Sequence, residues 1–278
     1  MKNISNKDVL SNLILHPDFE KLKADIEKLR TELSMLVLER DNLIFQECKN
    51  IEMAYMLNLG WLEYKAYEIE CAILRLKRKV ELIQARKNRE ENVVISAIEE
   101  ILDYEFAEFQ NKLNQQLENI NAALKRSHQQ PLTDEESREM KKLYRSIIKS
   151  LHPDLHPHIS EEKIQLFFNA VKAYQHGDLN ELRIIAEMIT TPLPFDKQSD
   201  GLVPLVKEKE RLMHLLQTIK DNMAEIKSEY PYNMKSLVQN PIKTEARKAE
   251  HEGNIKQLEE TLDAYKTKIE DMLRGKNG

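Results

Sequence analysis

Glycine is scarce in this chain, with only 6 in 278 residues, where average usage would place about 19. Glycine serves the turns that need unusual backbone angles, so a chain this poor in it has few tight turns and long uninterrupted elements. Aromatic residues make up only 6%, with a single tryptophan, and mean hydropathy is -0.59. Such a chain buries narrow seams rather than one broad interior. There are two cysteines, Cys48 and Cys71, both within helical apolar patterns. Together they would form a disulfide or part of a metal site; separately they are buried thiols of a reducing cytosol, which their setting favours. No apolar run reaches the roughly 18 residues that a membrane span needs. Met1 to Leu15 carries mixed charge and lacks the apolar core of a signal sequence. A cytoplasmic protein with no membrane span is the expectation. There is no phosphate-binding glycine loop, nucleophile elbow or zincin helix motif, so neither an enzyme nor a bound cofactor is expected.

Charge is abundant. Lys and Arg number 42 against 47 Asp and Glu, giving a net charge of -5 and a charged fraction of 32%. The slight acidic balance argues against a nucleic-acid partner. The mixture of signs suits long exposed helices whose polar faces are laced with opposite charges.

Helical periodicity begins right after Pro17. Leu22, Ile26, Leu29, Leu33, Leu36 and Leu43 alternate spacings of three and four, the pattern of a coiled-coil seam, with Arg40 interrupting it. Asn58-Leu59-Gly60 reads as the first break, after which Leu62, Ala66, Ile69, Ile73, Leu76, Val80 and Ile83 repeat the pattern. Two similar heptad helices joined near a glycine predict an antiparallel hairpin. A third helix carries Ile98, Leu102, Phe106, Phe109, Leu113, Leu117, Ile120 and Leu124. Its aromatic pair reads as packing, with a binding role as the alternative. Residues 205–278 hold two further seams, Leu205 to Ile226 and Ile255 to Met272, which predict a second antiparallel hairpin around Pro231 and Pro241. The fold class is therefore all-α: elongated coiled-coil helical hairpins flanking a shorter helical hairpin. The division predicted is 1–130 coiled coil, 131–190 central region, 191–204 linker and 205–278 coiled-coil hairpin. Whether the seams close within one chain or between two, as a homodimer, the sequence leaves open.

The central region carries the most specific signal. Thr133 and Glu136 have capping-box spacing and start a helix that Pro153 and Pro157 stop. This helix is basic: Lys141, Lys142, Arg145 and Lys149 fall within it, with no acid between Met140 and Pro153. Lys141, Arg145 and Lys149 are spaced by four and line one face. Tyr144, Ile147, Ile148 and Leu151 supply the packing face, with Leu143 beside them. His152-Pro153-Asp154 follows, then a helix from about Ser160 to Gln175 carrying Phe167, Ala170, Ala173 and Tyr174, and a shorter one from Asp178 to about Ile189. A basic ridge on a net-acidic chain suits the steering of an acidic partner. His152, His156 and His158 lie close together, but without a nearby cysteine and with two prolines constraining the turns they are not read as a metal site.

A basic helix with an internal Tyr-Arg, an apolar residue before His-Pro-Asp, and a helix with this Phe, Ala and Tyr spacing resemble the J-domain of DnaJ-type co-chaperones. The resemblance covers residues 134–176. It implies that Lys141, Lys142, Arg145, Lys149, His152, Pro153 and Asp154 engage a DnaK-type chaperone and promote its ATP hydrolysis. Tyr144, Ile147, Ile148, Leu151, Phe167, Ala170 and Tyr174 would hold the hairpin together. The coiled coils would then bind an unknown client or partner. The chain departs from the family in lacking a recognisable first J-domain helix; the helix ending near Leu124 is expected to pack in its place, and 178–189 replaces the usual fourth helix. The alternative reading is a structural scaffold with a degenerate J-like hairpin. His16-Pro17-Asp18 is a second copy of the tripeptide without a basic helix before it, and reads as a helix start.

Overall fold

The seams of Leu22 to Leu43 and of Leu62 to Ile83 each take a partner far away in the chain, while Leu117 and Leu124 of the third seam stay exposed. The computed structural model describes residues 17–128, 132–189 and 202–274. Their regular structure is helical, with no strand among the described residues. Nor is any described helix long and apolar enough to cross a membrane. The first part of the chain forms α1 (Pro17–Asn42), a π-helical turn (Leu43–Cys48), α2 (Lys49–Tyr55), a second π-helical turn (Met56–Gly60), α3 (Trp61–Asn88), α4 (Ile95–Glu105) and α5 (Ala107–Ser127). Then come α6 (Asp134–Leu151), α7 (Glu161–His176), α8 (Leu179–Met188), α9 (Leu202–Ser228), a 3-10 turn (Tyr232–Met234), α10 (Lys235–Val238) and α11 (Pro241–Arg274). Pro17 opens α1, where its missing N–H is unneeded; His16 of the second tripeptide lies outside the described residues. So does the expected linker as far as residue 201, and Leu202 already begins α9.

Two compact units result: Met1–Glu47 with Pro131–Glu229, and Cys48–Gln130 with Tyr230–Gly278. This grouping differs from the four consecutive stretches expected from the sequence, because the helices pair over long sequence distances.

In the first unit α1 packs against α9. Phe19, Ile26, Leu33 and Val37 on α1, and Leu205, Leu212, Leu216, Ile219 and Met223 on α9, are buried. Three ion pairs give the direction. Lys209 reaches Asp25 at 2.6 Å, Arg30 reaches Glu208 at 3.3 Å and Lys220 reaches Glu32 at 3.2 Å, over separations of 184, 178 and 188 residues. A nearly constant separation means that the helices run parallel; antiparallel neighbours would hold the sum of their numbers constant instead. The remaining helices of this unit, α6, α7 and α8, pack on one another, and α6 also packs on α1.

In the second unit α3 packs against α11, again parallel. Lys65 pairs with Glu259 at 2.8 Å, His251 lies 3.8 Å from Glu63, and near the far end the Lys87 ammonium donates to the Met272 carbonyl. Leu62, Ala66 and Ile69 bury with Ile255, while Ile83, Ile98 and Leu102 bury with Ile269. Each leucine or isoleucine among these contributes about 1.5–3 kcal/mol when fully buried. α4 folds back along α3, tied by Arg75 to Glu99 and Asp103, both at 2.6 Å, and by Arg78 to Glu105 at 2.9 Å. The third helix of the sequence reading is thus two helices, divided at Phe106, whose ring packs with the Ile83–Ile269 cluster. α5 packs on α2 and α3 within its own unit, and the helix from earlier in the chain that packs beside the basic one is α1.

The hairpin expected at Asn58-Leu59-Gly60 does not form. Gly60 has a helical φ of -58° and caps nothing; the backbone continues into α3. A Cβ there would meet only the Met56 side chain, its Sδ at 2.7 Å and its Cβ and Cγ at 3.5 and 3.6 Å, and the close atom lies towards the flexible end. Gly60→Ala should therefore raise stability by up to about 1 kcal/mol through helix propensity, read by urea unfolding. A clear loss would show a turn at this position.

Candidate functional site

The basic helix α6 is defined at both ends. Thr133 Oγ1 accepts from the Glu136 N–H at 3.2 Å, and the Glu136 carboxylate accepts from the Thr133 N–H at 2.9 Å, a complete capping box. Asp134, Glu135 and Glu136 occupy its first turn and Lys149 its last, each sign where the helix dipole favours it. Met140, Tyr144, Ile147, Ile148 and Leu151 are buried, which leaves Lys141, Lys142, Arg145 and Lys149 together on the exposed side. None of these four cations makes an ion pair among the described residues, although Lys142 is near enough to Glu139 to favour its charged form.

α7 packs antiparallel on α6 through Phe167, Ala170, Ala173 and Tyr174, all buried. The small side chains of Ala170 and Ala173 allow close approach. The rings of Tyr144 and Tyr174 stack nearly parallel, with centroids 4.2 Å apart. α7 ends at Gly177, whose φ of 75° lies in the left-handed region that glycine enters without strain. Asp178 N–H then donates to Ala173 O at 2.8 Å and Gly177 N–H to Tyr174 O at 3.3 Å, the Schellman pattern. α8 closes over both helices, and Arg183 forks onto the Glu139 carboxylate at 2.8 and 2.7 Å.

His152 ends α6. Its ψ of 126° is extended, as the following Pro153 requires. The imidazole is buried and meets the Phe167 ring edge-on, centroids 5.0 Å apart. Its Nδ1 accepts from the Asp154 N–H at 3.1 Å, which assigns the proton of the neutral ring to Nε2. Burial pushes the His152 pKa below the usual value, against the pull of the nearby Asp154 carboxylate; Arg40 lowers it further. His156 Nε2–H donates to Lys149 O at 2.8 Å, capping the helix end, and Leu155 is buried beneath. Asp154 is different: its side chain is 48% exposed. Thus the loop anchors its histidine inside and presents its carboxylate outside. With His152 Nδ1 and His156 Nε2 bonded to main chain, the three histidines do not converge, and no metal-ligand cluster occurs among the described residues.

All the residues read as one site therefore lie on one hairpin: the ridge along α6, the His152–Asp154 loop at its end, and the packing residues inside. Sequence reasoning missed the contribution of α1. Tyr144 donates its hydroxyl to Asp41 Oδ2 at 2.7 Å, and the other oxygen of Asp41 accepts from Arg40 Nε and Nη2 at 3.0 and 2.7 Å. Tyr174 donates to Asn42 Oδ1 at 3.4 Å, and Gln46 Nε2 donates to the Tyr174 carbonyl at 3.3 Å. Burial, reinforced by the Asp41 charge, drives the Tyr144 and Tyr174 hydroxyls well above the normal tyrosine pKa. The one available signal was polar: Arg40 interrupts an otherwise apolar seam. The chain matches no known family model, no curated protein and no solved structure.

Proposed function

We propose that this chain is a co-chaperone of the DnaJ type, recruiting a DnaK-type chaperone and stimulating its ATPase through the α6–α7 hairpin. The observation that carries the reading is the pairing of an exposed Asp154 with four exposed, unpaired cations on the preceding helix. A hairpin that only packs has use for a buried His152, Phe167 and Tyr174. It has none for an exposed carboxylate in the loop that follows a row of exposed cations. In this reading the ridge steers an acidic surface of the partner into place, and Asp154 supplies an anionic acceptor to a donor on that partner. The helix pairs α1–α9 and α3–α11, with their heptad seams, carry the client or partner.

The scaffold reading draws on one feature, that His152 is buried and contributes packing of its own. The two readings separate in a steady-state ATPase assay with a DnaK-type chaperone. The wild type should stimulate turnover and Asp154→Asn should not, while Asp18→Asn should behave as wild type and helicity stays unchanged. Absence of stimulation by the wild type, or equal stimulation by Asp154→Asn, would overturn the co-chaperone reading in favour of the scaffold.

A further inference from the structure

We infer that Arg40, Asp41, Asn42 and Gln46 form a positioning clamp for the His152–Asp154 loop, so that a helix end about 100 residues upstream completes the partner site. The inference rests on the reading of that loop as the partner site. Three observations carry it.

First, the clamp grips both helices of the hairpin, α6 near its middle and α7 in its last turn. Asp41 takes the Tyr144 hydroxyl of α6, while Asn42 and Gln46 take the hydroxyl and the carbonyl of Tyr174 on α7. The two rings so held are the stacked pair. Fixing both phenols fixes the rotation of α6 about its axis, and with it the direction in which the ridge points. Tyr144 and Arg145 are adjacent, so a rotation that releases the phenol swings the guanidinium by the same angle.

Second, the dyad reaches the loop as well. Arg40 and Asp41 are close enough to His152 to act on its charge in opposite senses, and His152 in turn holds the Asp154 N–H. The line from α1 to Asp154 therefore runs through hydrogen bonds on one side, from carboxylate to phenol and so to α6, and through the field of the dyad on the imidazole that holds the Asp154 amide on the other.

Third, α1 changes its geometry where the clamp sits. Leu43–Cys48 is π-helical, with an i to i+5 repeat. Asp41 and Gln46 are five residues apart, so this wider turn brings both towards the hairpin, where five residues of unbroken α-helix would set their side chains about 140° apart. π-Helical turns interrupt regular helices at a cost and concentrate at functional sites.

A purely structural contact has a simpler solution. Asp41 is only 3% exposed, and an apolar pair of similar volume at such a position is commonly as stable or more stable. What a hydrogen-bonded carboxylate adds is direction: one rotamer of Tyr144, one orientation of the dyad beside His152.

The test uses the full chain and two readouts. One is the 15N shift pattern of the His152 imidazole, which distinguishes the Nε2–H tautomer from a mixture. The other is ATPase stimulation of a DnaK-type chaperone over a concentration series. Asp41→Ala should move His152 from a single tautomer towards a mixture. It should also lower maximal stimulation about tenfold while the half-saturating concentration, set by the untouched ridge, moves by less than about twofold. Asp41→Asn keeps an oxygen for the Tyr144 hydroxyl and should restore the single tautomer and most of the stimulation. If Asp41→Ala does not fold, Tyr144→Phe removes one hydroxyl only and takes its place with both readouts. A folded variant with an unchanged His152 tautomer and unchanged maximal stimulation overturns the clamp. If the wild type gives no stimulation at all, the co-chaperone reading fails, and the imidazole pattern alone still decides whether the clamp positions the loop.

Discussion

Tyr144→Ala should destabilise the first unit by about 3–5 kcal/mol, the range for truncating a fully buried aromatic ring. The side chain has no exposed surface, and the neighbouring Ala170 and Ala173 have little reach to fill the space. Its ring stacks on Tyr174 and its hydroxyl is bonded to Asp41, so removal opens a cavity and strips a buried carboxylate of a donor together. The two contributions separate. Tyr144→Phe keeps the ring and loses only the hydroxyl, which should cost about 1–3 kcal/mol, the desolvation penalty of an unsatisfied buried acceptor. Ile148→Ala, on the same buried face, deletes packing without touching the polar network and should cost about 2–5 kcal/mol. Urea unfolding of the three variants followed by circular dichroism gives the order. A loss under about 1 kcal/mol for Tyr144→Ala, the size of a surface effect, would show that α6 does not pack through this ring.

The reason Tyr144 matters so much was only half legible in the sequence. Its place on the apolar face of α6 follows from spacing: Met140, Tyr144, Ile147, Ile148 and Leu151 recur every three or four residues and all are buried. The cap at Thr133, the proline stop after His152 and the glycine end at Gly177 are equally local, and each was readable because the residue that makes the structure also sits in it. Partners are another matter. A heptad stripe states which face of a helix is buried, never which helix covers it or in what direction. Short connections favour antiparallel neighbours, and that prior misassigned both long hairpins. Parallel pairs need a connection at least as long as a helix, which here is supplied by residues 43–201 between α1 and α9 and by residues 89–240 between α3 and α11. Gly60 misled for a related reason. Glycine permits a turn but does not demand one, and in a seam with buried Leu59 and Leu62 on either side the helix continues through it. The bond from Tyr144 to Asp41 spans 103 residues, and nothing in the neighbourhood of either residue announces the other.

Charge reversal at Arg145 should have the largest effect on partner association and almost none on the fold. Arg145 is exposed and unpaired, so Arg145→Glu should change stability by no more than about 0.5 kcal/mol, as at an ordinary surface position. Its role, if the ridge steers the partner, is to the rate of encounter. Lys141, Arg145 and Lys149 repeat at intervals of four along one face, and one sign in a row adds its fields where the acidic balance of the whole chain would otherwise oppose them. Reversal places a negative charge in the middle of that row and changes its total by two units. The association rate with a DnaK-type chaperone should fall about tenfold or more at low salt, within the range by which steering raises encounter rates. The Debye length contracts from about 30 Å at 0.01 M salt to about 8 Å at physiological ionic strength, so the wild-type rate should fall steeply with salt while the variant's rate stays nearly flat. The two curves should converge as salt rises, because screening removes from the wild type what the substitution has removed from the variant. Dissociation should change less than association, since a contact between exposed, hydrated charges contributes little once formed. Stopped-flow association at several salt concentrations, set beside thermal unfolding of both proteins, measures all of this. Association that is independent of salt and survives Arg145→Glu would reduce the ridge to a solvated helix face, and would leave Asp154 to account for partner binding alone.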